Sequence, residues 1–568
     1  MNRSLACLLI AALVLAVPLT AQTATTTVLS SSPNPSAFGA AVTLSAAVSP
    51  AAATGKVTFY DGVSIIGVAT LASGSATLAT VLLPSGAQSL RAYYGGNGVY
   101  ASSSSAIVSQ TVNAAPQVGF QTPASYLSGS LSYNTVAIAD FNGDGHPDIA
   151  AVTSTTGTMT ILLGKGDGTF TTGSTYDASA GSYPVAIASG DFNGDGVTDL
   201  VVAGFGEGGD ISAVYLYLGN GNGTFQKPTA ITDYETALGS ITVGDFNNDG
   251  FADMAAGGNS LTVFLGNGSG AFSMQLGGPA YAYSAALGDF NRDGIADFAL
   301  GTEGNGFVGI ALGNGNGTFQ SPVHYTLNSA TSVAIGDFNA DGFEDVAIGG
   351  NSAVYVMLGN GDGTFQAPAL VSTLSQPLSV AVADFNGDGH PDICTATYGN
   401  QQLNVLLSNG DGTFSAPLTY TVSVSDSPDN LAVGDFRGNG TADIVVGGQN
   451  GISVLLGVPG VPPVGLTPTA GTPQSTQVTK TFPVNLQVRV TDATGAPVAG
   501  IPVTFTAPQA SPTGFFAGNS HSATATTDAS GMATAPTLRA DRSVGVFTVR
   551  ATIPGAPHAA KFHMTNKL

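Results

Sequence analysis

The sequence is poor in the residues that build nucleic-acid surfaces, disulfide scaffolds and catalytic clusters. Its 568 residues include no Trp, two Cys, six His and four Glu, and 14 Lys and Arg stand against 36 Asp and Glu. The formal net charge of −22 argues against nucleic acid and anionic lipid as partners, because both are bound by displacing counterions with Lys and Arg. Cys7 lies in the N-terminal apolar segment, which is predicted below to be cleaved. The mature chain would then retain only Cys394, so no internal disulfide is expected.

The one long apolar run lies at the N-terminus. Arg3 is followed by apolar residues from Leu5 to Val17 and by the small residue Ala21. This pattern predicts a secretory signal peptide over residues 1–21, cleaved after Ala21. An uncleaved anchor is disfavoured, because this apolar run is shorter than the ~20 residues that span a bilayer. We therefore expect a secreted or cell-surface protein without membrane insertion after cleavage.

The composition is typical of an all-β protein built from several modules. Hydrophobic residues make up 43% of the chain, 77 residues are Gly and 30 are Pro, and Val, Thr, Ser and Asn are abundant. These residues favour strands and tight turns over helices. A chain of this length also exceeds what one hydrophobic core normally organises, so several domains are expected.

A nine-residue pattern, D-F-N-x-D-G-x-x-D, recurs along the middle of the chain. It begins at Asp140, Asp191, Asp245, Asp289, Asp337, Asp384 and, in altered form, at Asp435. The spacings of 44 to 54 residues fit a four-stranded blade, so seven repeats predict a seven-bladed β-propeller over residues 118–457. Within each repeat, strand-like runs flank the acidic segment, and a Gly-rich turn such as Gly164–Phe170 precedes the fourth strand.

The seventh repeat lacks its own fourth strand. After Val454 the chain continues into the Pro-rich stretch GVPGVPPVG, whereas Phe120–Pro123 resembles the fourth-strand openings Phe225–Pro228 and Phe319–Pro322. We therefore predict that residues 118–126 supply the outer strand of the last blade. Such pairing closes the ring and removes its open edge.

The acidic segments match the ligand spacing of a calcium loop. Oxygen-bearing side chains at positions 1, 3, 5 and 9, a backbone carbonyl at position 7 and a Gly at position 6 suit a hard cation with six or so oxygen ligands. A helix–loop–helix calcium site is excluded, because position 12 is never Glu and the flanks have strand periodicity. The alternative is that Asp and Asn cap tight turns without metal. The predicted metal ligands are Asp140, Asn142, Asp144, His146 and Asp148; Asp191, Asn193, Asp195, Val197 and Asp199; Asp245, Asn247, Asp249, Phe251 and Asp253; Asp289, Asn291, Asp293, Ile295 and Asp297; Asp337, Asn339, Asp341, Phe343 and Asp345; and Asp384, Asn386, Asp388, His390 and Asp392.

The seventh acidic segment departs from this pattern. It carries Arg437 at position 3 and Asn439 at position 5. A guanidinium at a ligand position repels a cation and pairs with a carboxylate, here Asp435 or Asp443. We therefore expect about six structural Ca²⁺ ions and one loop without an ion.

These repeats resemble the FG-GAP or VCBS repeats of integrin α-subunit propellers and of secreted bacterial proteins. The resemblance covers residues 118 to about 457 and implies a seven-bladed propeller with calcium in the hairpin between the first two strands of each blade. It also implies that partners bind the opposite face. Residues mapped to that face are Tyr176, Tyr183, Phe205, Glu207, Tyr234, Glu235, Tyr281, Tyr283, Glu303, Tyr325, Tyr398 and Gln401.

Both flanks of the propeller are predicted to be β-sandwiches. Residues 24–113 resemble a bacterial Ig-like domain, and residues 474–568 resemble an invasin-type Ig-like domain. A Pro-rich linker, residues 458–473, precedes the second module. Modules of this kind commonly act as spacers.

No catalytic constellation stands out in the sequence. Cys394 aligns with the strand residue Ala150, which predicts a buried apolar role, and the chain lacks a nucleophile elbow, a zinc-protease motif and a phosphate loop. The favoured hypothesis is an exported, calcium-binding, non-catalytic adhesion or recognition protein that binds a polysaccharide or an extracellular or surface protein. The alternatives are a carbohydrate-active enzyme, either a polysaccharide lyase or a hydrolase, on a propeller scaffold, and a structural component of the cell envelope.

Overall fold

The computed structural model describes residues 21–127, 134–178, 182–206, 212–234, 238–258, 260–275, 278–279, 282–302, 306–460, 465–492, 495–498, 501–553 and 559–568. The predicted signal peptide lies outside these ranges except for Ala21. Apart from one 3₁₀ turn, Ala517–Asn519, the regular elements of the described ranges are strands, which confirms the all-β class. Within them we find no helix with the length and apolar character needed to cross a bilayer.

The N-terminal module is a β-sandwich. One sheet has the order β1-β3-β6, and the other has the order β2-β9-β7-β4-β5 with β8 beside β7. Strands such as Val42–Ser49 alternate buried and exposed side chains, and residues including Leu44, Phe59, Leu90 and Tyr94 fill the core. The strands are β1 Thr26–Ser32, β2 Ser36–Ala37, β3 Val42–Ser49, β4 Gly55–Asp61, β5 Ser64–Leu71, β6 Ser75–Thr80, β7 Gly86–Tyr94, β8 Ser103–Ser104 and β9 Val108–Asn113.

The middle of the chain forms four-stranded antiparallel sheets that fit propeller blades. Among the described residues there are seven, which we number sheet 1 to sheet 7 along the chain: β12–β15, β16–β19, β20–β23, β24–β27, β28–β31, β32–β35 and β36–β38 with β11. The strands are β10 Gln117–Phe120, β11 Ala124–Tyr126, β12 Asn134–Ala139, β13 Asp148–Thr153, β14 Thr158–Gly164, β15 Phe170–Asp177, β16 Ser182–Gly190, β17 Asp199–Gly206, β18 Ser212–Tyr217, β19 Thr229–Tyr234, β20 Leu238–Gly244, β21 Asp253–Gly258, β22 Thr262–Gly266, β23 Phe272–Gln275, β24 Ser284–Gly288, β25 Asp297–Gly301, β26 Phe307–Ala311, β27 Val323–Thr326, β28 Ser332–Gly336, β29 Asp345–Gly349, β30 Ala353–Met357, β31 Ala369–Thr373, β32 Pro377–Ala383, β33 Asp392–Thr397, β34 Gln402–Leu406, β35 Leu418–Thr421, β36 Ser425–Gly434, β37 Asp443–Gln449, β38 Gly451–Leu455 and β39 Gly457–Pro459.

The sheets are arranged in a closed circle. The first strand of each sheet contacts the first strand of the next, and β36 of sheet 7 contacts β12 of sheet 1. Each acidic segment joins the first strand of a sheet to the second, so all seven lie on one face of the circle. We call these segments acidic loops 1 to 7 and this surface the loop face.

Sheet 7 is completed by the segment that precedes sheet 1, as the sequence predicted. Strand β11 pairs with β38 in the register Ala124 to Val454, and β10 pairs with β39 in the register Gln117 to Pro459. Without β11, strand β38 would expose a row of unpaired backbone groups at the edge of the sheet.

Seven Phe–Phe contacts join neighbouring sheets. The Phe at position 2 of each acidic loop, at most 3% exposed, meets the Phe that ends the Gly-rich turn of the following sheet, with ring centroids 5.2–6.0 Å apart. Phe120 takes this place for sheet 7 and packs on Phe385. Each such pair contributes about 0.5–1.5 kcal/mol beyond its buried area. The pairs are Phe141–Phe225, Phe192–Phe272, Phe246–Phe319, Phe290–Phe365, Phe338–Phe414, Phe385–Phe120 and Phe436–Phe170.

The C-terminal module is a second sandwich around Val488, Phe505 and Phe562. Its sheets have the orders β40-β42-β46, β41-β49-β48-β43-β45 and β44-β47. The strands are β40 Gly465–Ala470, β41 Gln474–Gln477, β42 Gln487–Thr491, β43 Pro502–Thr506, β44 Gly514–Phe515, β45 Ser522–Thr526, β46 Met532–Thr534, β47 Arg539–Ala540, β48 Gly545–Thr552 and β49 Ala560–Lys567.

Strand β40 falls within the stretch predicted as linker, residues 458–473. It pairs with β42 at the edge of a sheet, and Leu466 packs on the module's core. An edge strand tolerates Pro468, because its outer side needs no ladder hydrogen bond. The module therefore begins before residue 474.

Candidate metal loops and binding face

The Asp at position 9 of every acidic loop is a buried hydrogen-bond acceptor. These seven side chains, from Asp148 to Asp443, are fully buried. In each, Oδ2 accepts the N–H of the loop's position-2 Phe at 2.8–3.0 Å. Oδ1 accepts the N–H of the residue that opens the following turn, such as Gly164, at 2.7–2.8 Å. Position 9 therefore joins the loop to the end of the third strand of its sheet.

Positions 1, 3 and 5 organise the rest of the loop in the same way in loops 1 to 6. In loop 1, Oδ2 of Asp140 accepts the N–H of Gly145 at 2.9 Å. Asn142 accepts the N–H of Asp144 at 2.8 Å and donates its amide to the carboxylate of Asp144 at 2.9 Å. Asp144 in turn accepts the N–H of His146 at 2.9 Å. The Gly at position 6 has a φ near +83° in loop 1, which favours residues without a Cβ.

The side chain at position 7 points away from the loop and packs over the Gly-rich turn of its own sheet. The rings of His146 and His390 lie against Gly166 and Gly410, and Phe251 and Phe343 lie similarly against Gly268 and Gly361. Val197 and Ile295 occupy the equivalent places. The position-7 side chain therefore does not enter the loop, and the role of the position-7 carbonyl as a ligand stays a prediction.

Burial of neighbouring carboxylates is the main electrostatic feature of loops 1 to 6. Burial, aided by the charges of Asp140 and Asp144, raises the pKa of Asp148 to about 6, despite two hydrogen bonds that lower it. The same causes raise the pKa of Asp199 to about 7 and that of Asp253 to about 8. No Lys or Arg pairs with these carboxylates among the described residues.

The donor set of loops 1 to 6 fits a hard divalent cation in its chemistry. It offers carboxylate, amide and carbonyl oxygens without thiolate or imidazole ligands, and its negative charge is uncompensated. The acids are not gathered into a preformed metal cluster: in the described part of the chain, no group of three or more His, Cys, Asp or Glu side chains is spaced to hold an ion. An ion would therefore share oxygens that now accept backbone N–H groups.

Loop 7 contains a cationic side chain, that of Arg437. Arg437 Nη2 lies 2.8 Å from Asp443 Oδ1, the one salt bridge among the described residues, and it also donates to Thr441 and to the carbonyl of Gly457. The side chains of Arg437 and Asp443 are 12% and 0% exposed. The predicted pairing of Arg437 with a loop carboxylate is confirmed, and Asp443 is the partner.

The N-terminal sandwich covers part of the loop face. Its strand β4 hydrogen-bonds to loops 2 and 3, and Ser85 accepts the N–H of Asp384 in loop 6 at 3.1 Å. Between the sandwich and the loop face lies a cavity of about 1350 Å³, lined by groups that include Asp61, Arg91, Asp289 and Glu344. The N-terminal module was predicted to be a spacer, and the sequence contains no signal for this docking, because the docking residues follow ordinary strand alternation.

The residues expected on the opposite face fall into four groups. Tyr183 and Tyr398 are 50% and 46% exposed, and Gln401 is exposed too. Tyr176 and Tyr325 lie between sheets, where their hydroxyls accept the N–H groups of Phe225 and Phe365, and Tyr283 is half-buried. Phe205 and Tyr234 lie in strands β17 and β19, and Glu207, Glu235, Tyr281 and Glu303 lie outside the described residues.

Cys394 lies in strand β33 and is fully buried. Burial raises the pKa of its thiol well above the ordinary value. A thiol in this environment stays protonated at neutral pH and is a poor nucleophile. The expected apolar role of Cys394 is confirmed.

Comparison with known proteins identifies two kinds of module. A bacterial Ig-like domain (group 3) matches residues 29–113, and an FG-GAP-like repeat matches four times, at 140–202, 198–256, 337–395 and 387–446. These four matches include every acidic loop except loop 4. Integrin alpha-PS5 of Drosophila melanogaster is 32% identical over 101 residues, which are 16% of this chain and about a tenth of that protein's length.

Solved structures align with much of the chain at low similarity. An Agrocybe aegerita lectin that recognises non-reducing terminal N-acetylglucosamine is 19% identical, covering 69% of this chain and 94% of its own, with a TM-score of 0.39. A Desulfotomaculum acetoxidans protein of unknown function is 12% identical over 50% and 84% of the two chains, with a TM-score of 0.36. At these TM-scores neither likeness supports an inference about function. The repeat matches, the ring of four-stranded sheets and the sandwich beside it agree with one another: the chain contains FG-GAP-like repeats preceded by a bacterial Ig-like domain.

Proposed function

We propose that this is an exported, non-catalytic recognition protein whose ring binds a polysaccharide or a surface protein through the face opposite the acidic loops. The observation that carries the proposal is the asymmetry of the two faces. The N-terminal sandwich occupies the loop face, whereas Tyr183 and Tyr398 are exposed at the other ends of the strands. Exposed aromatic side chains with polar neighbours suit sugar and protein surfaces. The local similarity to an integrin alpha chain and the pattern of residues 1–21 support adhesion outside the cytoplasm.

Loops 1 to 6 would hold Ca²⁺ as a structural ion in this proposal. The ligands would be the side chains at positions 1, 3, 5 and 9 and the carbonyl at position 7. The comparison with loop 7 supports the idea, because a cationic side chain lies beside Asp443, while the equivalent Asp345 has only backbone donors. Six ions would bring the net charge from −22 to about −10. At ~10 times Kd, each independent site would add about 1.4 kcal/mol of stability.

The calcium component is tested by counting the ions that the chain binds. The purified protein is expected to take up about six equivalents, and Asp341→Ala, at position 5 of loop 5, to lose one. Asp362→Ala is the matched control in the same sheet, because this exposed carboxylate only caps the Gly-rich turn by accepting from Thr364. No uptake by the wild-type protein at millimolar calcium would overturn the calcium component.

The recognition component is tested by binding to a panel of glycans and matrix proteins, in calcium and in chelator. Tyr183→Ala combined with Tyr398→Ala should weaken capture of the ligand, whereas Met274→Ala, an exposed residue of an outer strand, should not. Capture that survives the tyrosine changes would place the binding surface elsewhere. Cleavage of a glycan would select the carbohydrate-active enzyme, and the absence of any captured partner would favour a structural envelope component.

A further inference from the structure

Strand β4 of the N-terminal sandwich holds the ring with one of its two faces. Side chains two residues apart point to the same side of a strand. Val57 and Phe59 enter the sandwich's own core, whereas Lys56, Thr58 and Tyr60 reach the ring. The outward side of β4 therefore binds the loop face, while its inward side is held in the core of the sandwich.

Two of these contacts converge on acidic loop 3. The Thr58 hydroxyl donates to the carbonyl of Gly250 at 2.6 Å, and the Tyr60 hydroxyl donates to Oδ2 of Asp245 at 2.6 Å. That carboxylate oxygen also accepts the N–H of Gly250 at 2.9 Å. Tyr60 is 1% exposed, so its hydroxyl has no water to replace Asp245 as acceptor. Position 1 of loop 3 is thus shared by the loop and the sandwich.

Packing fixes the same contact. A Cβ at Gly250 would lie 2.7 Å from the ring of Tyr93, so this backbone approaches the sandwich as closely as only Gly allows. Val63, at the turn between β4 and β5, is 7% exposed and packs in the cluster that includes Phe246 of loop 3. The backbone of loop 3, from position 1 to position 6, is therefore part of the interface.

We propose that loop 3 is an interdomain cation site, in which a divalent cation and the N-terminal sandwich stabilise each other. The inference rests on the proposed binding of calcium to the loops. Ordering of loop 3 by an ion would hold Asp245 Oδ2 and the Gly250 carbonyl in the places where β4 bonds them. Thermodynamic linkage requires the reverse effect: the factor by which the ion favours docking equals the factor by which docking favours the ion. Tyr60 is then a positioning residue for the site.

Loop 5 serves as the internal comparison. No hydrogen bond from the sandwich reaches Asp337–Asp345 in the described residues. Its ligand pattern is the same as that of loop 3. An ion at loop 5 should therefore affect docking far less than an ion at loop 3.

Docking can be followed with a single introduced cysteine. Cys394 is fully buried and stays silent towards thiol reagents, so Val63→Cys reports whether the sandwich covers loop 3. In the full chain we expect maleimide to label this position at least about tenfold more slowly in calcium than in chelator. Asp249→Ala in loop 3 should abolish the difference, and Asp341→Ala in loop 5 should preserve it. Val99→Cys, at a position 63% exposed, should label at one rate throughout.

The reverse effect is measured by calcium titration of the full chain. Tyr60→Phe should weaken one site about tenfold, the value of one hydrogen bond to a charged group. Tyr94→Phe is the control, because Tyr94 is also a buried residue of the sandwich and its hydroxyl donates to the carbonyl of Thr54 inside the sandwich, not to the ring. Calcium uptake with equal labelling of Val63→Cys in calcium and chelator would overturn the interdomain site alone. Absence of uptake would overturn the calcium proposal and this inference together.

Discussion

Replacing Arg437 with methionine should destabilise the ring by about 3 kcal/mol, because it leaves Asp443 buried without a cation. Breaking a buried ion pair by removing one partner costs about 3–5 kcal/mol. We expect the lower end of that range, because Asp443 keeps two backbone hydrogen bonds, from Phe436 at 3.0 Å and from Gly457 at 2.7 Å. Arg437 also retains some exposure, 12% of its side chain.

Thermal unfolding in chelator measures this loss without any contribution from added metal. At about 2.1 cal/mol/K of unfolding entropy per residue, 3 kcal/mol corresponds to a fall in Tm of about 4 °C for a unit of roughly 330 residues. Arg292→Met is the matched control. Arg292 is exposed in loop 4, where it lies 5.2 Å from the ring of Phe343, so its loss should cost less than about 1 kcal/mol.

The double change Arg437→Asn with Asn439→Asp gives loop 7 the pattern of the other six. In chelator this variant should be as unstable as Arg437→Met. In calcium at ~10 times Kd it should recover about 1.4 kcal/mol and bind one more equivalent than the wild-type protein. The reasoning is refuted if Arg437→Met costs no more than Arg292→Met. It is also refuted if the double variant gains no equivalent while the wild-type loops bind calcium.

Three further predictions concern other parts of the fold. Burial raises the pKa of Asp61 from 3.8 to about 6, so the folded state loses stability as pH rises from 3.8 through 6. In chelator, Asp61→Asn should be about 1–3 kcal/mol more stable than the wild-type protein at pH 7.5 and equally stable near pH 3.5. An equal difference in stability at both pH values would contradict this. Cys394 should resist a thiol reagent in the folded protein and react on unfolding, and rapid labelling of the native state would show that its burial is wrong. Phe120→Ala removes the ring that packs on Phe385 and should cost about 2–4 kcal/mol in unfolding experiments; an unchanged Tm would contradict ring closure through this segment.

Sequence reasoning correctly predicted the features of the fold that follow from strand alternation, turn residues and repeat spacing. Strand alternation, Gly-rich turns and the repeat spacing were enough to place the sheets, and the likeness of Phe120–Pro123 to other fourth-strand openings was enough to place β11. The pairing of Arg437 also followed from residue chemistry, since a guanidinium among carboxylates has few other partners. In each of these cases the deciding residues are close in sequence or equivalent by repeat.

The features that sequence reasoning missed depend on contacts that the residue pattern of a single repeat does not reveal. The Asp at position 9 is predicted as a metal ligand, and sequence reasoning did not foresee that its oxygens also accept backbone N–H groups from two separate places in the sheet. Tyr176 and Tyr325 read as surface residues, but their hydroxyls accept from the next sheet. The docking of β4 was also missed, because Tyr60 alternates like any other strand residue.

Closure of the ring by β11 sets the order in which the protein can fold. Most pairings within a sheet join consecutive strands, whereas Ala124 pairs with Val454, 330 residues later. The entropy of closing so long a loop adds only about 2 kcal/mol over one of ~40 residues, but contacts of high contact order form slowly. Sheets 1 to 6, which consist of consecutive strands, can therefore form before β38 pairs with β11. While β38 is unpaired, the ring has an open strand edge of the kind that promotes edge-to-edge aggregation.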